Sequence, residues 1–413
     1  MARRACLAAL GVALVLANAF PAPAGPLDGF TSNNVEFVGN IAEFGPSGAV
    51  LHGRYFYVTG SRGVVIYDVS NPEDPRQVGI FERAPDDRYV PSDYQPETNG
   101  KILVCANCES VDEGDAFQVR DAVFDVRNKR QPRWMAALPH AHHWSCVLDC
   151  RWAYGNNGLV VDLRDPANPV PSGSWSEGLE TRIPPFYEIF DPFLRSSGTH
   201  DVTEVAPGIV LTASVPMYLL DARRDPTHPR VLALSDGSAY SYGYVAWPDF
   251  HKGGFPLSNN ESGVAHSRCE INNRLEGSTL ESAFKTWDGS RWKNDGLVTG
   301  IDTYTASNGT YADGDPALSG GLWDPMASAQ WGCAPFGFDA HPDFRHTGFV
   351  AHAWSGHGTK FLKISRDGHI KQIGFFLGHR TNSLDVDWIT NEIVYVTDSH
   401  RGIDILRFTG HTP

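Results

Sequence analysis

Beyond Phe20 the chain has no uninterrupted apolar run of about 18 residues, the length a bilayer span requires, and it has neither a basic cluster nor a Lys-rich stripe. The first absence excludes a later membrane-spanning helix. The second, with 34 basic residues against 48 acidic ones, argues against nucleic acid and anionic lipid as partners. No Pro/Ser linker, low-complexity tract or long charge run divides the 413 residues, although that length would usually make two or three domains. Complete catalytic patterns are also missing. There is no GxSxG elbow, Walker loop or dinucleotide fingerprint between a strand and a helix, and no HExxH or facial-triad spacing. ADGD at residues 312–315 lacks the other spaced ligands of an EF-hand.

What is present begins with MARRACLAALGVALVLANAFPAPAGP, in which Arg3 and Arg4 precede an apolar run and then small residues. That is the pattern of a secretory signal peptide, with cleavage expected after Ala19 or Ala24. Residues 1–24 are therefore expected to be removed, leaving residues 25–413 as one secreted or extracytoplasmic domain. Arg3 and Arg4 are lost with the signal and no acidic residue is, so the formal charge becomes −16. Of seven cysteines, Cys6 leaves with the signal. The remaining six favour disulfides in an oxidising compartment: Cys146 with Cys150 across a tight turn, Cys105 with Cys108 locally, and Cys269 with Cys333 as the long-range pair.

GAVLHGRYFYVTGSRGVVIYDVSNPEDPRQVGIFE, residues 48–82, reads as strand, Gly-bearing turn, strand, Asn-Pro turn and strand. The pattern recurs from Trp152 (WAYGNNGLVVDLRDPANPVPSGSW) and from Ile209 (IVLTASVPMYLLDARRDPTHPRVLAL), with weaker copies elsewhere. Units starting near Gly48, Glu97, His142, Thr199, Tyr242, Gly332 and Asn382 make seven. Short strands with regular turn signals predict an all-β, seven-bladed β-propeller rather than stacked sandwiches. The last copy, EIVYVTDSHRGIDILRF, stops two strands in, and NVEFVGNIAEF, Asn34–Phe44, is the candidate for its outer strand. Supplying it from the N-terminus would close the ring and remove free edges. Residues 250–331 form an irregular insertion, whose stretch STLESAFKTW, Ser278–Trp287, is the best helical candidate.

VVIYDVSNPEDPRQVG, LVVDLRDPANPVPSG and YLLDARRDPTHPRVLA resemble the LVIVD repeat of exported bacterial β-propellers, and THDVTEVAPGIVLTAS, CVLDCRWAYG and RGIDILRF resemble an actinobacterial subgroup of them. The resemblance covers nearly all of the chain after the signal. It implies a propeller and brings no agreed reaction with it.

Each blade's innermost strand should precede its strongly apolar strand. His142 and His143 stand at the start of one such strand, His200 and Asp201 at the start of the next, and Asp339 and His341 in FDAHPDF of the sixth unit. In a closed ring these starts would converge at one mouth of the channel. Neutral imidazoles there suit copper, iron or zinc, with Asp201 and Asp339 as further ligands, supporting partners or bases. The bland alternative is that each histidine satisfies the backbone of a turn. His52, His251, His266, His352 and His400 are less comparable candidates, and His228 is expected to be exposed. Asp385 and Asp387 alternate on one strand face and read as polar channel lining.

Three functions follow from these readings. The leading one binds a small ligand or metal ion at the axial channel through His142, His143, His200 and His341. The second is a metal-dependent oxidoreductase or lyase on the same histidines. The third is a monomeric scaffold for protein partners, using exposed loops and needing no cofactor.

Overall fold

The computed structural model describes residues 29–43, 45–83, 95–113, 116–177, 199–214, 217–235, 243–250, 256–260, 277–280, 284–287, 292–294, 303–304, 335–366, 368–379 and 381–410. The expected signal peptide, the Cys269–Cys333 pair, His251, His266 and most of the 250–331 insertion lie outside the described residues.

Adjacent residues in YFYV (55–58) and VVIY (64–67) are buried on opposite faces, as period-2 geometry requires when a sheet is covered on both sides. Phe56, Val58 and Val65 pack against Tyr395, Ile403 and Ile405 on one face. Tyr57, Val64 and Ile66 pack against Leu103 and Phe124 on the other. Strands of this kind must be sandwiched between neighbouring sheets.

Among the described residues there are seven antiparallel sheets. Their first strands are Pro46–His52, Glu97–Thr98, Trp144–Val147, Thr199–Ala206, Val245–Ala246, Phe338–Ala340 and Ser383–Trp388, and the sheets are numbered 1 to 7 in that order. Sheets 1, 2 and 3 are simple meanders of consecutive strands. Sheet 4 carries two further strands, Phe284–Trp287 and Trp292–Asn294, and sheet 6 carries Gly29–Thr31 on its outer edge. In sheet 7 the strand Val35–Ile41 pairs antiparallel with Gly402–Phe408, from Val35 opposite Phe408 to Ile41 opposite Ile403. The result is an all-β, propeller-like molecule.

Successive sheets share their cores: 2 with 3 through Val104, Val123, Trp144 and Val161, 3 with 4 through Val147, Val160, Val202 and Val210, and 4 with 5 through Leu211, Leu219, Val245 and Trp247. Sheets 5, 6 and 7 meet in one cluster that includes Leu257, Tyr304, Trp354, Phe361 and Trp388. Burial of this kind stabilises by about 25 cal/mol per Å² of apolar surface.

The helical expectation for Ser278–Trp287 is not met: Gly277–Leu280 and Phe284–Trp287 are strands. Tertiary pairing decides, since Thr286, Lys285 and Phe284 extend the ladder of Arg230–Ser235. The one helix among the described residues is a single turn, Phe344–Thr347.

Two glycines mark equivalent tight turns in the repeats. Gly63 in SRGVV and Gly402 in HRGID have φ of 106° and 101°, a region that side chains avoid. A Cβ on Gly402 would also lie 2.3 Å from the carbonyl oxygen of Ile41.

Candidate functional site

A first strand has one edge without a ladder partner, so its N–H groups need other acceptors. Here the acceptors are acidic side chains from adjacent strands or sheets. Asp201 Oδ2 accepts from Val245 N at 3.1 Å, Asp339 Oδ2 from Trp388 N at 2.9 Å, and Asp385 Oδ2 from Ala49 N at 3.2 Å. Asp387 accepts from the Leu51 N–H. Glu204 Oε1 accepts from Leu148 N at 2.9 Å, and Asp121 Oδ2 from Ala141 N at 2.6 Å. Recurrent acids, all but Asp121 on first strands, thus stitch one sheet to the next.

The HAHH segment enters the first strand of sheet 3. His140 is exposed, 3.5 Å from Asp121, while His142 is half-buried and His143 is 3% exposed. Asn156, in the turn after the second strand, accepts from His142 N at 2.9 Å and His143 N at 3.3 Å, and donates to Thr199 O at 2.9 Å. One amide therefore fixes both histidines and ties them to sheet 4. The Gly-bearing turn in GNNG signals a connection in the sequence, but not this role.

His143 Nδ1 lies 2.6 Å from Asp201 Oδ1. Asp201 is otherwise saturated: Oδ1 also accepts from Val202 N at 2.6 Å, and Oδ2 accepts from Thr203 Oγ1 at 3.1 Å as well as from Val245. Neither ring nitrogen of His143 makes a well-aligned hydrogen bond: Nδ1 meets Asp201 as a close ion pair, while Nε2 is buried without a partner, and so is Ser145 Oγ. Ser145 lies two residues along the strand, on the same face. The rings of His142 and His200 lie with centroids 4.7 Å apart, tilted at 59° to each other, and His200 Nδ1 is 3.1 Å from Gly243 O. The structure thus brings His142, His143, His200 and Asp201 together.

His341 does not join them. It follows its first strand, Phe338–Ala340, whereas His143 precedes Trp144–Val147 and His200 stands near the start of Thr199–Ala206. The repeats are offset along the strand. His341 Nε2 is 3.0 Å from Asn391 O, and Nδ1 accepts from Asp343 N at 2.9 Å, with Trp388 edge-on at 4.7 Å. Both ring nitrogens serve the fold. Among the described residues no group of three or more His, Cys, Asp or Glu is placed to hold a metal ion. His352 is fully buried, accepts from Trp354 Nε1 at 2.9 Å, and is pushed down to about 3 by desolvation. His52, His228 and His400 are exposed.

Charge is distributed unevenly around these histidines. Glu97, on the first strand of sheet 2, is pushed up to about 7 by burial, against the pull of His143 and with Asp201 and Glu204 adding to the rise. His143 is raised: desolvation opposes its charge, but Asp201 and then Glu97 outweigh it. Desolvation of Asp201 is likewise outweighed by His143, so that carboxyl is lowered. His142 is pushed down to about 2 by desolvation and by His200 and His143, and so is neutral.

A second acidic group lies on the first strands of sheets 6 and 7. Desolvation pushes Asp339 up to about 6 and Asp385 up to about 7, and Asp387 rises well above its ordinary value through burial and both neighbouring aspartates. Asp387 Oδ2 has no hydrogen-bond partner. Gln95 Nε2, two residues before Glu97, donates to Asp385 Oδ1 at 2.9 Å. The sequence marks Asp385 and Asp387 as lining but gives no sign of Gln95 or Glu97.

Cys146 and Cys150 are disulfide-bonded, with Cα atoms 4.3 Å apart, across a turn whose Leu148, Asp149 and Cys150 all have positive φ of 53–61°. Cys105 and Cys108 are also at disulfide distance, with Cα atoms 5.9 Å apart. No helix among the described residues is long and apolar enough to cross a membrane.

No family model matches the sequence, and no curated protein matches it. Among solved structures the chain is similar to "Structure of U3-55K", at 9% identity and a TM-score of 0.48, covering 92% of this chain and 100% of that one. It is also similar to "YCF48 bound to D1 peptide", at 9% identity and a TM-score of 0.46, covering 93% and 99%. Likeness at this level identifies no function.

Proposed function

We propose that the protein is an exported, LVIVD-like propeller of seven blades, closed by Val35–Ile41 as the last blade's outer strand, that binds a small polar ligand where its first strands converge. The pairing of Val35–Ile41 with Gly402–Phe408 and the close approach of the first strands of sheets 7 and 1 and of sheets 1 and 2 support the ring. The two cysteine pairs fit an oxidising compartment.

One observation carries the ligand site. His143 is 3% exposed, held on Nδ1 by the saturated carboxylate of Asp201, and has nothing on Nε2. An unmade hydrogen bond at a buried group costs about 1–3 kcal/mol, so a ring fixed in this way is suited to a partner that arrives from outside. With the proton on Nδ1 facing a carboxylate, the neutral ring offers a lone pair at Nε2, and the protonated ring offers an N–H.

Native mass spectrometry of protein purified from its exported compartment, with elemental analysis of the same sample, tests the reading. A bound small molecule in the wild type that is lost in His143→Gln supports it. Ligand-free protein in both, with unchanged stability in the variant, overturns it. Near-stoichiometric copper, iron or zinc lost with the same substitution would instead favour the metal-dependent oxidoreductase or lyase. The scaffold reading draws on exposed apolar side chains on outer strands, Trp134 at 42% and Val170 at 55%.

A further inference from the structure

We infer that the open outer edge of sheet 2 is a docking strand for a partner polypeptide: an extended, acidic segment that adds to Arg133–Leu138 and covers Trp134. The inference concerns the rim of the molecule and does not depend on the axial site.

A strand at the end of a sheet presents unpaired N–H and C=O groups, and folded chains blunt or cover such edges. This chain does so repeatedly. Sheet 4 is extended by Phe284–Trp287, with Phe284 opposite Ser235 and Thr286 opposite Ala233. Sheet 6 is extended by Gly29–Thr31, with Phe30 opposite Leu377. The outer strand of sheet 3, Val170–Ser174, contains Pro171, which has no N–H to offer a neighbour. The outer strand of sheet 2 is RWMAAL, Arg133–Leu138. Beyond Arg133 it carries neither charge nor proline, and among the described residues no strand pairs with its outer side. Segments of this chain add to two outer edges, and this one is left for a segment of another.

Two further features of the same edge define that segment. Trp134 is 42% exposed, one of three large apolar side chains so exposed among the described residues. Tryptophan and arginine are the side chains that most often anchor an interface. The excess of acid over the whole chain also conceals a short run of the opposite sign: RNKRQPR, residues 127–133, holds no acidic residue. Arg127 is engaged with Asp125, Nε to Oδ1 at 2.9 Å, and Lys129 donates to Val126 O at 2.6 Å. Arg130 and Arg133 are exposed, and the acid opposite Arg133 is Asp125, which Arg127 already holds. This turn lies against the outer strand of sheet 1, where a Cβ on Gly79 would come within 1.9 Å of Lys129 O, and Arg76 on that strand is exposed as well.

Positive charge beside the edge favours an acidic partner. The edge itself favours a polypeptide, because a peptide backbone continues a ladder with its own N–H and C=O groups. Another polyanion would satisfy the arginines and leave the backbone groups of RWMAAL as they are.

Hydrogen exchange on the whole chain at low salt, with and without an N-acetylated, C-amidated heptapeptide alternating glutamate and valine, tests the docking. Fluorescence anisotropy of the same peptide carrying a dye gives its affinity, with the lysine–valine counterpart and heparin as comparison probes. The acidic peptide is expected to slow amide exchange within residues 133–138 and to bind about ten-fold or more tighter than the lysine peptide. Trp134→Ala and Arg130→Glu should each weaken it about five-fold or more. Both side chains are exposed, so the unfolding midpoint should stay at the wild-type value. Absence of binding, equal binding of the two peptides, or binding that leaves exchange at 133–138 unchanged overturns the proposal. Heparin binding as tightly as the acidic peptide, with no slowing at 133–138 in either complex, would make the patch a general anion site and overturns it too. The exchange data and the comparison of probes are made on the wild type, so a variant that fails to fold does not rescue the idea.

Discussion

Replacing Asp387 by asparagine tests the electrostatics of the acidic group with little change in shape. Its carboxyl accepts from the Leu51 N–H, and its Oδ2 has no partner, so an amide can keep the first bond. Burial and the neighbouring aspartates raise this group well above 3.8. The folded protein therefore holds a proton that the unfolded chain releases above about pH 4. The sign follows from linkage: a raised carboxyl pKa contributes stability that is complete below the unfolded value and is lost as pH rises towards the folded one, at about 1.4 kcal/mol per pH unit. Between pH 5 and pH 8 the wild type should therefore lose stability through this group, by no more than that slope allows. The amide of the variant carries no such proton. Urea unfolding of both proteins at pH 5, 6, 7 and 8 should show the variant gaining on the wild type as pH rises, by no more than about 1.4 kcal/mol per pH unit. A difference that does not change with pH, or a variant less stable than the wild type at pH 8, would refute the assignment.

Asp201→Asn leaves the His143 ring buried without its carboxylate and should cost about 3–5 kcal/mol. The loss should be largest between the ordinary carboxylate and imidazole values of 3.8 and 6.5, because Asp201 is lowered and His143 raised; a urea-melt difference below about 1 kcal/mol would show that the pair is not coupled. Asn156→Ala removes acceptors from two histidine N–H groups and a donor from Thr199 O, for about 1–3 kcal/mol, and hydrogen exchange at His142 and His143 should quicken. Replacing Cys146 and Cys150 together by serine frees a short loop and should lower stability by about 2 kcal/mol, as read from the denaturation midpoint at unchanged slope. Gly402→Ala forces a Cβ to 2.3 Å from Ile41 O and should destabilise by about 2 kcal/mol or more; a neutral result would mean that the Val35–Ile41 strand is not held as described.

The sheet pattern is legible because several repeats write their own turn chemistry: SRG and HRG before a strand in the first and last, and an Asp followed by a Pro-bearing turn after the strand in others. The sheets begin close to where those signals place them, and Cys146–Cys150 follows from spacing alone. The 278–287 stretch misleads because a short amphipathic run fits either period, and the neighbouring strand settles which one forms. His341 falls away from the other histidines because a shift of a few residues moves a side chain from one end of a strand to the other, and only the hydrogen-bond register fixes it. Glu97 and Gln95 are invisible in the sequence because their meaning depends on Asp201, His143 and Asp385 in other sheets, none of them close along the chain.

The most direct measurement is the long-range ¹H–¹⁵N spectrum of the histidine rings in the whole protein. His143 is expected to carry a proton on Nδ1, facing Asp201, with an Nε2 that has no partner within the fold. A His143 Nε2 that is protonated and protected from exchange would mean that this nitrogen already has its partner within the fold and that the site is structural.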